Sequence, residues 1–269
     1  MNGTEEAVVA LGREVPTGNL GKRTMDLVAS GVGLLVFLPV LLLVSALIWL
    51  EDRHGPLYLA PRVGSGGRTF QMIKLRSMVV RADRSGVDST AKSDRRITRV
   101  GAWIRRFKLD ELSQLWNVLR GDMSLVGPRP QVQRDVALYT AVERGLLAAR
   151  PGITDFSSIV FADEGEILEG AADPDLRYNQ LIRPWKSRLG LHYVARRTLW
   201  LDLRLVAATL LHAVARRRAL TWVAALLAET GADPRLIGVA RRDAPLVAAP
   251  PPGARETVSS RTAAVESAV

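Results

Sequence analysis

The sequence predicts a mostly helical α+β fold that begins with a re-entrant membrane helix, continues through a small β-hairpin and contains interfacial amphipathic helices. Leu27–Leu50 is a run of 24 residues without a charge. As a helix at ~1.5 Å per residue it would exceed the ~30 Å core of a bilayer. Two short strands, 57–59 and 70–73, flank a glycine-rich turn at 64–67, as in a hairpin. Apolar residues in 109–119 recur at steps of three and four, the period of a helix.

The path of the membrane helix depends on Pro39, which lies at the midpoint of the apolar run. Proline removes a helical hydrogen bond and kinks the axis, so each arm reaches about half a bilayer. Basic residues flank both ends, with Lys22 and Arg23 before and Arg53 after, so no positive-inside asymmetry favours a span. We therefore predict a break at Pro39 and a helix that enters and leaves by the same face. An ordinary span with a proline kink and a cleaved signal peptide are the alternatives.

The composition narrows the classes of function. The formal net charge is +10, from 37 basic and 27 acidic residues, which suits an anionic membrane surface, a phosphorylated substrate or a nucleic acid. The absence of cysteine excludes disulfides and cysteine-ligated metals. Three widely spaced histidines argue against a histidine-based zinc site. Nucleic acid is the weakest of these partners, and we expect none, because the few aromatic residues lie mostly in apolar runs.

A candidate site lies in the stretch from Arg105 to Pro130. Asp110 and Glu111 open the predicted helix, and cations stand on both sides, including Arg105 before the pair and Arg129 after it. Acidic residues in a first helical turn often do no more than complement the helix dipole. That interpretation remains open for the pair taken alone.

Two further basic residues, Lys74 and Arg76, lie two positions apart at the end of the second predicted strand. They could form a solvated basic edge of the hairpin or contribute to an anion site. Residues 81–99, which are charged and rich in serine, are predicted to form a surface loop or lid.

Together these residues resemble the bacterial sugar transferase family, the monotopic polyprenyl-phosphate hexose-1-phosphate transferases or phosphoglycosyl transferases. The resemblance runs from about Lys22 to Ala215. The motif that begins at Leu109 is highly specific for the family. The motifs, in chain order, are KRTMDLVAS, KLRSM, LDELSQLWNVLRGDMSLVGPRP and RPGIT.

The resemblance implies transfer of a sugar 1-phosphate from a nucleotide diphosphate sugar, with UDP as the expected nucleotide, to polyprenyl (undecaprenyl) phosphate. It implies a phosphosugar carried by Asp110 and a Mg2+ ion held by Asp110 and Glu111. It also implies that four basic residues bind substrate phosphates: Arg105, Arg129, Lys74 and Arg76. The expected place is the cytoplasmic face of the bacterial inner membrane, at the start of a surface polysaccharide or glycan.

The predicted organisation has five parts. They are a flexible tail at 1–20, a membrane segment at 21–55, the helical catalytic core at 56–218, an apolar C-terminal helix at 219–240 and a disordered tail at 241–269. The sequence departs from the family at Leu38, where relatives often carry serine before the proline. It departs again after RPGIT, so the resemblance does not identify the sugar. A non-catalytic membrane scaffold with a basic surface is the alternative function.

Overall fold

The computed structural model describes residues 20–82 and 93–259. The predicted N-terminal tail up to residue 19, the middle of the predicted lid and residues 260–269 lie outside the described residues. Most of the described chain is helical, and the strands form two small sheets.

Helix α1, Leu20–Asp52, contains 33 residues and runs through Pro39 without a gap in helical structure. The predicted break at Pro39 is therefore wrong at the level of secondary structure, and the re-entrant path stays a prediction. By length and composition α1 could cross a membrane, and only 11% of its most apolar 18-residue window is buried. Apolar side chains that no protein atoms cover favour a lipid environment.

The predicted hairpin is confirmed, with longer strands than the sequence indicated. Strands β1, Leu57–Val63, and β2, Thr69–Leu75, pair antiparallel from Leu57 opposite Leu75 to Val63 opposite Thr69. A short 3-10 turn at Ser65–Gly67 joins them, with Gly66 at a φ of 67°. Glycine adopts this left-handed conformation without steric cost, which explains the glycine-rich turn.

The remaining elements form the helical body. In chain order the helices are α2 Arg99–Arg106, α3 Leu115–Arg120, α4 Gln133–Ala137, α5 Phe156–Val160, α6 Glu164–Ile167, α7 Pro174–Leu181, α8 Arg183–Arg196, α9 Leu199–Val214, α10 Arg216–Glu229 and α11 Pro234–Arg241. Two 3-10 segments lie at Leu109–Gln114 and Glu143–Ala148. A second sheet, which the sequence did not reveal, pairs β3, Ser124–Val126, in parallel with β4, Gly152–Thr154.

The main core lies among α5, α8, α9, α10 and α11 and includes the fully buried Phe156, Leu189, Leu205 and Leu226. The predicted single helix at 219–240 is wrong: residues 230–233 separate α10 from α11. Six residues of α10 are buried, so α10 is a core helix rather than an interfacial one. Helix α9 buries one face only.

The exposed face of α9 is apolar along its length. Trp200 is 67% exposed, Leu203 45%, Leu210 69% and Val214 85%. Their spacing of three, seven and four residues places them on one side of the helix. This stripe is what an interfacial helix requires, and membrane contact of α9 stays a prediction.

The predicted disordered tail is wrong for residues 243–259, which form an extended segment on the protein surface. Ala249 and Val258 are buried to 8% and 6% exposure. The amide of Ala249 donates to the carbonyl of Gln180 at 3.1 Å, and the side-chain amide of Gln180 donates to the carbonyl of Val258 at 2.8 Å. The backbone of the segment therefore has fixed partners on α7.

Candidate active site

Asp110 and Glu111 lie on the 3-10 segment Leu109–Gln114, not on an α-helix as predicted. Lys108 precedes it with φ 53° and ψ 29°, a left-handed conformation that is uncommon for a residue with a side chain. The α-helical part begins only at Leu115. A 3-10 turn places residues three apart on one side, so Asp110 and Ser113 share a face.

Polar side chains fix this segment against β2. The hydroxyl of Ser113 donates to the carbonyl of Ile73 at 3.1 Å. Asn117, which is fully buried, accepts from the amide of Ile73 at 2.9 Å and donates to the carbonyl of Gln71 at 2.7 Å. These bonds hold the carboxylate pair beside Lys74, the next residue along β2.

The predicted apolar face of this segment is only partly buried. Trp116 is 51% exposed, and Leu112 and Leu119 are half-buried, whereas the polar Gln114 and Asn117 are buried. Leu115 is the member of the predicted face that is buried.

Each carboxylate has a basic partner from a different element. The carboxylate of Asp110, 9% exposed as a residue, has its Oδ2 3.5 Å from Nζ of Lys74. Glu111 Oε1 accepts from Nη2 of Arg129 at 2.7 Å. The site therefore combines two carboxylates and two cations that lie 36 and 18 residues away from them in the sequence.

The charges of the site keep Glu111 ionised. Burial alone would raise the pKa of Glu111, but the positive charges of Arg129, Lys74 and Lys108 outweigh it and lower the pKa to about 2. In return the charge of Glu111 raises the pKa of Arg129. Burial lowers the pKa of Lys74 from 10.5, although Asp110 opposes the shift.

Close packing of two glycines positions Arg129. An added Cβ on Gly127 would lie 2.3 Å from the carbonyl oxygen of Arg150, and one on Gly152 would lie 2.1 Å from the amide nitrogen of Gly127. Contacts this short exclude any side chain at either position. The GPRP and RPGIT motifs are therefore two halves of one structure, which brings Arg129 to Glu111.

A cavity that is open to solvent lies beside Arg129. Its lining includes residues that the sequence analysis missed: Asp135, Tyr139, Asp155, Tyr178, Asn179, Arg183, Lys186 and Ser187. Burial raises the pKa of Asp155, despite hydrogen bonds from Ser158 and Ser157. Its position directly after RPGIT was a usable signal, whereas no local pattern marks Lys186.

Arg76 does not join this site. Its guanidinium binds both carboxylate oxygens of Asp52 at 2.5 and 2.7 Å and the carbonyls of Gly55 and His54 at 2.8 and 3.3 Å. Arg76 thus makes four hydrogen bonds to acceptors at the C-terminal end of α1 and just beyond it. The structure thus joins Arg76 to Asp52 rather than to the carboxylate pair, and its role in binding substrate phosphate stays a prediction.

Arg105 is half-buried on α2. In the described part of the chain no ion pair joins it to Asp110, whose partner is Lys74, or to Glu111, whose partner is Arg129. The pKa of Asp94 is lowered mainly by its hydrogen bond from Arg96, and the charge of Arg105 adds to this. The role of Arg105 in binding phosphate stays a prediction.

The donor set fits a divalent ion that is shared with a substrate. Among residues 20–82 and 93–259, no group of three or more metal-ligating side chains occurs, so the chain alone offers no complete metal cage. Mg2+ characteristically uses one or two protein carboxylates together with substrate phosphates and water. Asp110 and Glu111 supply such a partial set.

Comparison with known proteins identifies the family of the chain. The undecaprenyl-phosphate glucose phosphotransferase of Komagataeibacter xylinus is 38% identical over 209 residues, which are 74% of this chain and 37% of the relative. The UDP-glucose:undecaprenyl-phosphate glucose-1-phosphate transferase of Caulobacter vibrioides is 38% identical over 194 residues, 71% of this chain and 68% of the relative.

A third relative is the putative undecaprenyl-phosphate N-acetylgalactosaminyl 1-phosphate transferase of Bacillus subtilis, 49% identical over 110 residues, 41% of this chain and 62% of the relative. The chain thus spans little more than a third of the longest of these three relatives and about two thirds of the other two. Residues 17–216 match the sequence profile of the family described as Bacterial sugar transferase, and the chain belongs to that family.

Proposed function

We propose that the chain transfers a sugar 1-phosphate from a nucleotide diphosphate sugar to a polyprenyl phosphate. One observation carries the proposal: a carboxylate pair, Asp110 and Glu111, is set between Lys74 and Arg129, and Arg129 also lines a cavity. Carboxylates serve as nucleophiles toward phosphoryl groups. The adjoining cations can bind the negative charge that a diphosphate brings.

In the proposed first step, a carboxylate oxygen of Asp110 attacks the phosphorus that bears the sugar. A P–O bond forms to Asp110 as the P–O bond to the nucleoside monophosphate breaks, and that monophosphate leaves. An oxygen of the lipid phosphate then attacks the same phosphorus and releases the Asp110 carboxylate. The product is a polyprenyl diphosphate sugar, and the enzyme returns to its starting state.

Lys74 and Arg129 are proposed to hold the phosphoryl oxygens in both steps. Loss of one such preorganised contact typically costs ~3–4 kcal/mol of barrier, or about 10²–10³ in rate. Mg2+, when held by Asp110 and Glu111, would supply further neutralisation of phosphate charge.

The low pKa of Glu111 separates its proposed role from that of a general base. A base with a pKa of about 2 binds a proton too weakly to accept one effectively near neutral pH. We therefore infer that Glu111 acts through its fixed negative charge, as a partner of Arg129 and of the metal ion.

The contacts of α1 support a membrane helix with both ends on the cytoplasmic side. Near its start, Lys22 pairs with Asp202 at 2.5 Å, and near its end Asp52 pairs with Arg76 at 2.5 Å. Glu51 accepts from the amide of Arg99 at 2.9 Å. Because both ends bind the same folded body, a path across the bilayer would require parts of that body on both sides of the membrane.

Two tags test this path. We expect a tag at residue 1 and a tag at residue 90 to be labelled from the same side of sealed membrane vesicles. Labelling from opposite sides would establish a spanning helix and overturn the proposed path.

The phosphosugar on Asp110 is tested with Asp110→Asn and the matched variant Asp233→Asn, at the start of α11, where asparagine can also cap the helix. We expect Asp110→Asn to abolish nucleoside monophosphate release from UDP-sugars, to trap no phosphosugar and still to sediment with membranes. Asp233→Asn should retain activity. If Asp110→Asn kept most of the activity, the nucleophile would be another group. If the unaltered protein turned over no nucleotide sugar, the scaffold function would be favoured.

A further inference from the structure

The C-terminal segment 243–258 lies behind the cavity and contacts the elements that form its walls. None of its residues lines the cavity. Instead, its backbone carbonyls accept hydrogen bonds from wall elements. The donors are Trp185 Nε1 to Val247 at 3.1 Å, Arg188 Nη1 to Pro250 at 2.9 Å, Gln180 Nε2 to Val258 at 2.8 Å and the hydroxyl of Thr140 to Pro252.

Each of these contacts lies within two positions of a residue that lines the cavity. Thr140 follows Tyr139, and Gln180 follows Asn179. On α8, Trp185 and Arg188 stand on either side of the lining residues 186–187. The segment therefore joins α7, α8 and the chain around residue 140 through residues next to those that line the cavity.

A buried network connects the segment to the cavity surface. The hydroxyl of Thr140 also accepts from the amide of Glu143 at 3.1 Å. Glu143 is completely buried and binds Arg183 at 2.6 Å and Ser187 at 2.7 Å. Arg183 and Ser187 line the cavity. Breaking a buried ion pair leaves an uncompensated charge, so this network has a strongly preferred geometry.

Gly253 allows the segment to approach this closely. Its φ is +83°, and an added Cβ would lie 2.8 Å from Cγ2 of Val142 and 3.3 Å from the hydroxyl oxygen of Thr140. A side chain here would meet both a strained backbone and a steric clash, and would push the segment away from Thr140.

We infer that segment 243–258 is a positioning element that fixes the walls of the cavity for the nucleotide sugar. The inference rests on the proposed function. The segment lies beyond residues 17–216, which match the family profile, so it is a feature of this chain rather than of the matched region. It contributes to donor binding by fixing the wall that contains Arg183 and Ser187, whose side chains bind Glu143, because small displacements in a site weaken binding strongly.

The test uses the full chain with Gly253→Ala. The matched control is Gly170→Ala, which has a comparable φ of +68° but nothing within 4 Å of the added Cβ, so it introduces backbone strain without a clash. A second variant, Trp185→Phe, removes the hydrogen bond to Val247 and keeps an aromatic ring beside Arg188. Initial rates of nucleoside monophosphate release would be measured against both substrates, with hydrogen exchange of the Ala249 amide reporting whether the segment has moved.

For Gly253→Ala we expect faster exchange at Ala249 and an increase of about tenfold in KM for the nucleotide sugar, with KM for polyprenyl phosphate and kcat within about twofold. Trp185→Phe should shift the donor KM in the same direction by less, and Gly170→Ala should leave it unchanged. Faster exchange with an unchanged donor KM would overturn the inference, as would an equal rise in both KM values. Failure of the unaltered protein to release nucleoside monophosphate would count against the proposed function itself.

Discussion

Replacing Arg129 by glutamine removes the cation on which the candidate site most depends. Arg129 binds Glu111 at 2.7 Å and also lines the cavity, so it can contact both the carboxylate pair and a phosphate. The pKa of Glu111 is about 2 instead of its ordinary 4.5. At ~1.4 kcal/mol per pKa unit, this difference amounts to about 3 kcal/mol in favour of the ionised carboxylate.

Two changes should follow in Arg129→Gln. First, kcat/KM should fall by about 10²–10³, the usual cost of one preorganised phosphate contact. Second, the pKa of Glu111 should rise, because burial opposes ionisation and the largest of its three compensating charges is gone. In the unaltered protein Glu111 stays ionised until the pH approaches about 2. In the variant, Glu111 should become protonated at a higher pH than in the unaltered protein, so activity should be lost earlier as the pH is lowered.

The assay is nucleoside monophosphate release from a UDP-sugar, with polyprenyl phosphate in detergent micelles, measured from pH 4.5 to 9. Arg144→Gln is the control, because Arg144 is exposed and lies away from the carboxylate pair. Thermal unfolding of both variants separates loss of folding from loss of chemistry. A folded Arg129→Gln variant that lost less than tenfold in kcat/KM and kept the acid side of the pH profile would refute the assigned role of Arg129.

Two other substitutions test the neighbouring basic residues. Because burial lowers the pKa of Lys74 below 10.5, activity should fall as the pH rises through that lowered pKa. Lys74→Arg keeps the charge and should move the alkaline limb of kcat/KM upward; an unmoved limb would exclude Lys74 as its cause. Arg76→Gln should leave kcat/KM within about threefold and lower the unfolding temperature, since it breaks charged hydrogen bonds to Asp52 that typically contribute ~1.5–3 kcal/mol each. A loss of 10² or more with normal folding would return Arg76 to the phosphate-binding set.

Elements formed by residues close together in the sequence were predictable. The hairpin follows from a glycine turn between two short strands, and the pairing of Leu57 with Leu75 agrees with that turn. The pairing of β3 with β4 was not predictable in the same way, because its partners, Ser124 and Gly152, lie 28 residues apart. Nothing local in three-residue strands indicates which distant segment will accept their hydrogen bonds.

The same difference between local and long-range information applies to the residues of the candidate site. Asp110, Glu111 and Arg129 belong to one continuous motif, so the sequence indicated them together. Lys186 and Asp155 reach the cavity only through tertiary packing, and Arg76 binds Asp52, a residue of α1 that no local pattern connects with it. Basic residues that follow one another in a motif need not serve the same partner.

Composition led to the wrong prediction of disorder for residues 243–259. A run of alanine and proline has few side chains to bury, which is typical of disorder. In this chain the backbone supplies the contacts instead, through carbonyls that accept from Trp185, Arg188 and Gln180. Proline lacks an amide donor but keeps its carbonyl acceptor, so a proline-rich segment can be held by donors from another element.

Direct contacts join the segment 109–119 to α1. Leu115 contacts α1 at Gly33, where an added Cβ would lie 3.0 Å from Cδ1 of Leu115. Arg23 donates to the carbonyls of Val118 and Leu119 at 2.6 and 2.8 Å.

The last carbonyls of a helix lack hydrogen-bond donors within the helix. Here Arg23 of α1 donates to two such carbonyls of α3. The buried side of the segment that carries the carboxylates is polar because it faces β2, and the other side is free to be apolar because α1 and lipid can cover it. Helix α1 is therefore a wall of the active-site fold as well as its anchor. A soluble version of this protein would lose the cap on α3 and the packing that holds Asp110 in place.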